Sequence, residues 1–276
     1  MEYNRYLIKY YYIGSSKYHG SQRQNDYETV ENILLNSLIK KKYISELRNS
    51  GFESASRTDK FVSARGAVFS FCSIKKPILM EINSDLPKNI GVWSYANVPK
   101  DFLSRFNATL RHYKYIYPIT CNYNTNLMRK ACKELEGKHD FINFSKIRKE
   151  ENLETVRDME LVNLSIMNDY LIFDFKSKGF LRQQVRRMVK KLIELGEGTI
   201  DLSDFLEILD PSKRQSFQPA PPLGLILWDI HYEKSIEFSD DPKSIERREH
   251  FFSLKKKEYG IKHQLFTILQ QNNLGK

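Results

Sequence analysis

The chain has 276 residues, 41% of them hydrophobic, enough for one large domain or two of about 100–150 residues each. Lys and Arg total 44 against 34 Asp and Glu, and the formal net charge of +10 favours a polyanionic partner without identifying it. Three cysteines with no C-x-x-C pair argue against a disulfide framework, and six scattered histidines argue against a zinc site. The absence of an apolar leader and of long apolar runs predicts a cytoplasmic protein with no membrane partner.

Leu7 to Ile13 is β-branched and aromatic and predicts a strand ended by Gly14-Ser15-Ser16. Thr29 is placed to cap a helix whose apolar positions Val30, Ile33, Leu34 and Leu38 share one face. Residues 67–72 and 92–96 read as further strands. Strand, helix, strand, strand is an α+β order, and a similar order recurs. Tyr113 to Ile119 is a strand with Tyr113, Tyr115 and Tyr117 on one face. Thr125 to Glu136 is a helix stopped by Gly137, and Met159–Met167 with Tyr170–Phe175 form a hairpin around Asn168-Asp169. Phe180 to Leu195 is the strongest helix, ended by Gly196, and Leu225 to Tyr232 is a last strand. Beyond about residue 233 Lys and Glu dominate, and a helix through Glu246 to Leu254 reads as a solvated extension.

Four segments carry residues suited to chemistry. Ala55-Ser56-Arg57-Thr58-Asp59-Lys60 sets one carboxylate among cations just before a strand, the pattern of a nucleophile or base acting on RNA or DNA. An ordinary turn, with Arg57 as a surface ion-pair partner, fits the same pattern. Lys17-Tyr18-His19-Gly20-Ser21-Gln22-Arg23-Gln24 is a loop in which Arg23 and Gln24 can reach phosphate or base edges; a plain polar loop reads the same way. Arg105 and Arg111 flank the tyrosine strand, where Tyr113 is the candidate for a site while Tyr115 and Tyr117 suit a core. On the strong helix, Arg182, Arg186, Arg187, Lys190 and Lys191 border the apolar stripe. Most should be solvated, with Arg186 leaning over the core edge toward a buried acid.

Taken together these segments resemble the tRNA pseudouridine synthase A family, collinearly over about residues 7–232. Ala55 to Lys60 with Val62-Ser63-Ala64 resembles its arginine-threonine-aspartate signature, and Gly14 to Gln24 resembles its first loop. Arg105-Phe106-Asn107-Ala108 with Arg111 to Tyr115 resembles its arginine-tyrosine strand. Gly137 to Phe141 with Phe144, Phe180 with Val185 to Val189, and Ala220 to Leu225 resemble further segments. Departures are Ser21 for a usual tryptophan, Ser56 for a frequent glycine, and Phe61 for a usual glycine. Phenylalanine resists φ > 0, so a different loop path is expected there.

The resemblance implies an α+β fold of two ferredoxin-like (RNA-recognition-motif-like) halves with antiparallel sheets around a central cleft. The order of elements and the shift in composition suggest boundaries at 1–105, 106–235 and a basic helical tail 236–276, the tail lying outside the resemblance. The resemblance implies that Asp59 is the nucleophile, that Arg186 pairs with it, that Arg57 holds the displaced nucleotide open and that Tyr113 contacts the flipped uracil. It further implies isomerisation of uridine to pseudouridine in the tRNA anticodon stem-loop, at uridines 38–40, by a homodimer without metal or other cofactor. A non-catalytic RNA-binding protein with the same halves would have no use for an acid among arginines, and a metal-dependent nuclease would need a second acid.

Overall fold

Residues 3–48, 50–146 and 154–271 are described by the computed structural model. The aromatic run at the start makes β1 (Asn4–Tyr12), with Tyr10 and Tyr12 facing the main core and Tyr11 facing a small cluster with Trp93 and Phe251 on the opposite side. Thr29 caps α1 (Val30–Lys40) by accepting from the Asn32 amide. There follow β2 (Glu53–Ser54), β3 (Ser63–Ser73), α2 (Leu79–Asn83) and β4 (Ile90–Val98), with β1 antiparallel to both β3 and β4.

The second run comprises β5 (Leu110–Pro118), α3 (Thr125–Glu134), β6 (Gly137–Asp140), β7 (Val156–Met167), β8 (Tyr170–Ser177), α4 (Gln184–Glu197), α5 (Leu202–Leu209) and β9 (Leu225–His231). Asn168 turns the β7–β8 hairpin with φ 53°, as a two-residue turn of this kind requires. The short β10 (Ser239–Asp240) and the long α6 (Pro242–Gln270) close the described chain.

One sheet runs through both halves in the order β10-β4-β1-β3-β9-β5-β8-β7-β6, with β2 on β3. Every pairing is antiparallel except β3 with β9, which are parallel through Ser63↔Ile226 and Ala64↔Leu227. The same two β9 residues pair on their other side with Lys114 and Tyr113 of β5. The fold is thus mixed α+β with a largely antiparallel sheet, in which β3 and β9 meet at a seam of two residue pairs.

Several boundaries differ from the sequence reading. Helix α4 begins at Gln184, because Gln183 takes a left-handed φ of 64°, and it is stopped by Gly198 at φ 76°. Gly196 lies inside the helix, where a β-carbon would press on Met128 and Tyr123, so it serves the close approach of α3. Of the basic residues expected to be solvated, Arg182 is exposed and Lys190 and Lys191 are partly covered, but Arg187 is buried; Arg186 is buried at the core edge as expected. The tail helix is also longer than the sequence suggested and begins packed, burying Ser244, Arg248 and Phe251, with the Phe251 ring 6.2 Å from that of Tyr11. From Leu254 its apolar side chains are exposed, and residues 272–276 of the tail lie outside those described. Among the described residues no helix is long and apolar enough to cross a membrane.

Candidate active site

The loop between β2 and β3 carries Asp59, and the chain holds it from three sides. Beneath it, the Tyr12 and Thr58 hydroxyls meet at 2.6 Å. Beside it, the Ser21 hydroxyl accepts from the Thr58 amide at 2.8 Å while the Ser21 amide donates to the Thr58 carbonyl at 3.1 Å. Ser21, expected as a departure from the family pattern, is thus the residue that locks the first loop to the aspartate loop. Gly20 (φ +91°) permits this, since a β-carbon there would stand 2.8 Å from the Thr58 oxygen. At the far end the Val62 amide donates to the Asp59 carbonyl at 3.2 Å, closing a tight turn.

That turn answers the expectation about Phe61. Phe61 does not avoid the positive φ: it adopts 69°, the left-handed conformation a glycine would take without strain. For a bulky residue this costs about 1–2 kcal/mol, and the surrounding hydrogen bonds hold it there.

Arg186 reaches Asp59 from the other half. Its Nη1 donates to Asp59 Oδ2 at 2.7 Å, its Nε donates to the Ala220 carbonyl at 2.7 Å, and the Ala220 amide returns a bond to the Arg186 carbonyl at 3.0 Å. The guanidinium fork is divided between the carboxylate and the backbone, so the cation is aimed before any ligand arrives. Arg186 is 10% exposed and Asp59 40% exposed, so the acid opens outward from a buried counter-charge. Asp59 does sit in a turn, but its ion-pair partner is Arg186; Arg57 is exposed.

Tyr113 stands beside this pair. Burial pushes its phenol above the usual tyrosine range; the Arg111 guanidinium and a Ser56 hydrogen bond pull it down less, and the Asp59 charge adds to the rise. Its ring meets Phe180 edge-on at 5.1 Å. Tyr115, as expected, is core, with its hydroxyl donating to the Pro221 carbonyl at 2.7 Å.

The sequence had shown Arg111 as one of two flanking cations without revealing its role. Its Nε donates to Ser56 Oγ at 2.9 Å and its Nη2 to the Ala55 and Arg105 carbonyls, each at 2.8 Å; Nη1 reaches the Lys178 carbonyl. One side chain thereby joins the aspartate loop, the strand leading to Tyr113 and the turn after β8. Burial lowers its proton affinity, consistent with a cation held mainly by carbonyl dipoles. Ser56, the second departure from the family pattern, supplies the hydroxyl that accepts from Arg111.

Asp59, Arg186 and Tyr113 are therefore brought together, while four other expected residues are not in contact with them. Arg57 is exposed; Arg105 is exposed with its guanidinium 5.7 Å from the Phe106 ring centre. Arg23 and Gln24 are exposed on the first loop, where the Arg23 amide donates to Glu31 and Gln24 Nε2 donates to the His19 carbonyl at 2.7 Å. They form a rim rather than a centre.

The sequence is similar to known proteins along nearly the whole chain. A family model described as tRNA pseudouridine synthase matches residues 131–233. The tRNA pseudouridine synthase A of Methanosphaera stadtmanae is 39% identical over 267 residues, 94% of each chain. That of Methanosarcina mazei is 36% identical over 246 residues, covering 88% of this chain and 90% of its own. That of Archaeoglobus fulgidus is 33% identical over 271 residues, covering 98% and 99%. Identity at this level over nearly the whole length of both chains means that the chain belongs to the tRNA pseudouridine synthase A family.

Proposed function

We propose that the protein isomerises uridine to pseudouridine in tRNA, with Asp59 as the nucleophile and the cleft at the sheet seam as the active site. Family membership supports the reaction, and the single observation that carries the site is the 2.7 Å contact between Asp59 and a buried, pre-aimed Arg186. The C1′–N1 bond of the nucleoside breaks, the uracil turns, and a C1′–C5 bond forms. The hydrogen lost from C5 is matched by one gained at N1, so the change is an isomerisation that needs no redox partner or cofactor. Asp59 engages the nucleoside once its base has left the stack, and Tyr113, with its phenol kept neutral, meets the uracil. Arg57, exposed beside the acid, fills the space the nucleotide vacates, and Arg105, Arg23 and Gln24 on the rim contact RNA phosphates and base edges.

The substrate region is read as the anticodon stem-loop, and the enzyme as a cytoplasmic homodimer, both on the family resemblance. Two ferredoxin-like halves, 1–105 and 106–235, followed by the basic tail, are supported by strand order. β4-β1-β3-β2 reads fourth, first, third, second in the order of its own strands, and β9-β5-β8-β7 repeats that order once the short edge strand β6 is set aside.

The test is Asp59→Asn on a full-length tRNA transcript. Conversion should fall by at least about 1,000-fold, with tRNA affinity within a few-fold of wild type. Undiminished pseudouridine in that variant would sink the nucleophile assignment.

A further inference from the structure

A polar cavity of about 310 Å³ lies at the start of α4, lined among others by Ser145, Lys146, Gln183, Arg187, Arg214 and Gln218. Its lining holds three cations and no carboxylate among the described residues, and none of the three has an ion-pair partner among them. Two buried polar atoms face no hydrogen-bond partner: Arg187 Nε, on a side chain only 7% exposed, and Gln183 Oε1. A buried guanidinium nitrogen without an acceptor is costly, and a native fold keeps one where something else supplies the acceptor.

The cavity is built rather than incidental. Phe217 supports the Arg187 guanidinium at 5.4 Å and packs edge-on against Phe144 at 5.9 Å. Asn143 pins the opposite wall, donating to the carbonyls of Ile208, Asp210 and Lys213 and accepting from the Gln215 amide at 3.1 Å. Gln183 caps the 14-residue α4 with no side-chain bond, and no acid stands in the first turn, so the helix adds its own positive end. Burial and the neighbouring Arg186 both weigh against the charge on Arg187, a strain an anion would relieve.

The cavity also has a fixed position relative to the catalytic pair. Arg187 follows Arg186 on the helix, and Gln218 stands two residues from Ala220, which grips Arg186 by both backbone groups. Two extended residues span about 7 Å. We propose that this cavity seats a phosphodiester of the tRNA backbone next to the nucleotide held over Asp59, with Arg187, Arg214 and Lys146 on its oxygens. This rests on the reading of tRNA as substrate.

The experiment measures tRNA affinity across a series of salt concentrations, together with single-turnover pseudouridine formation, for wild type, Lys146→Gln, Arg214→Gln and Arg214→Lys. Both positions are exposed, and melting curves check that the variants fold. Each Gln variant should weaken binding several-fold at low salt and lower the slope of log affinity against log salt by about 0.7–0.9, with Arg214→Lys recovering most of that slope. Lys40→Gln, which removes the same charge far away beside Asp85, serves as the control. Affinity and slope in the Gln variants no different from that control would overturn the proposal. A wild-type melting temperature raised by inorganic phosphate, with unchanged tRNA slopes in the variants, would mark a free-anion site and overturn the RNA assignment. Wild-type enzyme that makes no pseudouridine in these reactions would instead overturn the function on which the proposal rests, whatever the slopes.

Discussion

Gly14 lies so close to Phe61 that a β-carbon on it would fall on the Phe61 carbonyl group and stand 2.6 Å from the Val62 oxygen. These are backbone atoms of the turn that carries Asp59, so no side-chain rotation relieves the clash. Gly14→Ala should shift that turn and cut single-turnover conversion by about 100-fold, the scale of an ångström misplacement at a reacting centre. tRNA affinity should stay near wild type. A variant with wild-type rate would show that the loop tolerates the shift.

Arg186→Lys keeps a positive charge but cannot hold Asp59 and Ala220 at once, because an ammonium lacks the divided fork. The rate of conversion should drop about 100-fold with little change in tRNA affinity. Arg186→Gln should cost more, since it leaves Asp59 without its counter-charge. A Lys variant with wild-type rate would argue that aiming of the cation is unimportant.

Arg111→Lys should loosen the junction of Ala55, Ser56, Arg105 and Lys178, because one ammonium cannot reach four carbonyl and hydroxyl acceptors spread around a planar group. We expect a loss of about 1–3 kcal/mol in urea unfolding, and a lowered rate because Arg111 ties the strand that carries Tyr113 to the Ala55-Ser56 segment before Asp59. An unchanged midpoint would reduce the clamp to a surface contact.

Tyr113, Tyr12 and Tyr115 all have phenols raised by burial, so each is neutral in the fold at pH values where a solvated tyrosine has begun to ionise. A raised folded pKa stabilises the fold fully below the unfolded value of about 10 and loses that contribution as pH climbs toward the folded value. Urea stability should therefore be flat through neutral pH on this account and fall above about pH 10, with Tyr113→Phe showing the shallower alkaline fall. In activity, Tyr113→Phe should retain more conversion than Tyr113→Ala if the ring against the uracil is what matters; equal losses would point to the hydroxyl.

Phe61→Gly should relieve the left-handed strain while adding freedom to the unfolded chain, a net change within about 1 kcal/mol of zero. Thermal unfolding measures it. A large destabilisation would show that the half-exposed Phe61 ring, 5.4 Å from the Lys60 ammonium, contributes more than its backbone costs.

Periodicity and turn chemistry were enough to find β1, α1, the β7–β8 hairpin and α4, because each is long or carries a local signal such as Thr29 or Asn168. The short elements β2, β10, α2 and α5 were not read, since their extents are set by neighbours in the sheet and core rather than by their own pattern. The site was legible in its members and not in its wiring. Asp59 and Arg186 are 127 residues apart, and only the family resemblance joined them before the structure did. Ser21, Ser56 and Phe61 looked like defects in a pattern. Two of them are hydrogen-bonding links, and the third shows that a surrounding fold can hold a phenylalanine where a glycine would rest unstrained.

Leu227 has Ala64 on one side and Tyr113 on the other, so a single strand sets the spacing between the segment that follows Asp59 and the strand that carries Tyr113. Two strand spacings amount to about 9.6 Å of hydrogen-bonded backbone, a ruler rather than a hinge. Swinging β3 away from β5 would break these pairings, so the spacing is set while the sheet stays whole. The work of fitting falls to the RNA, whose target nucleotide must leave its stack to reach a gap of fixed width. Selection among uridines then becomes a matter of how readily each one lets go.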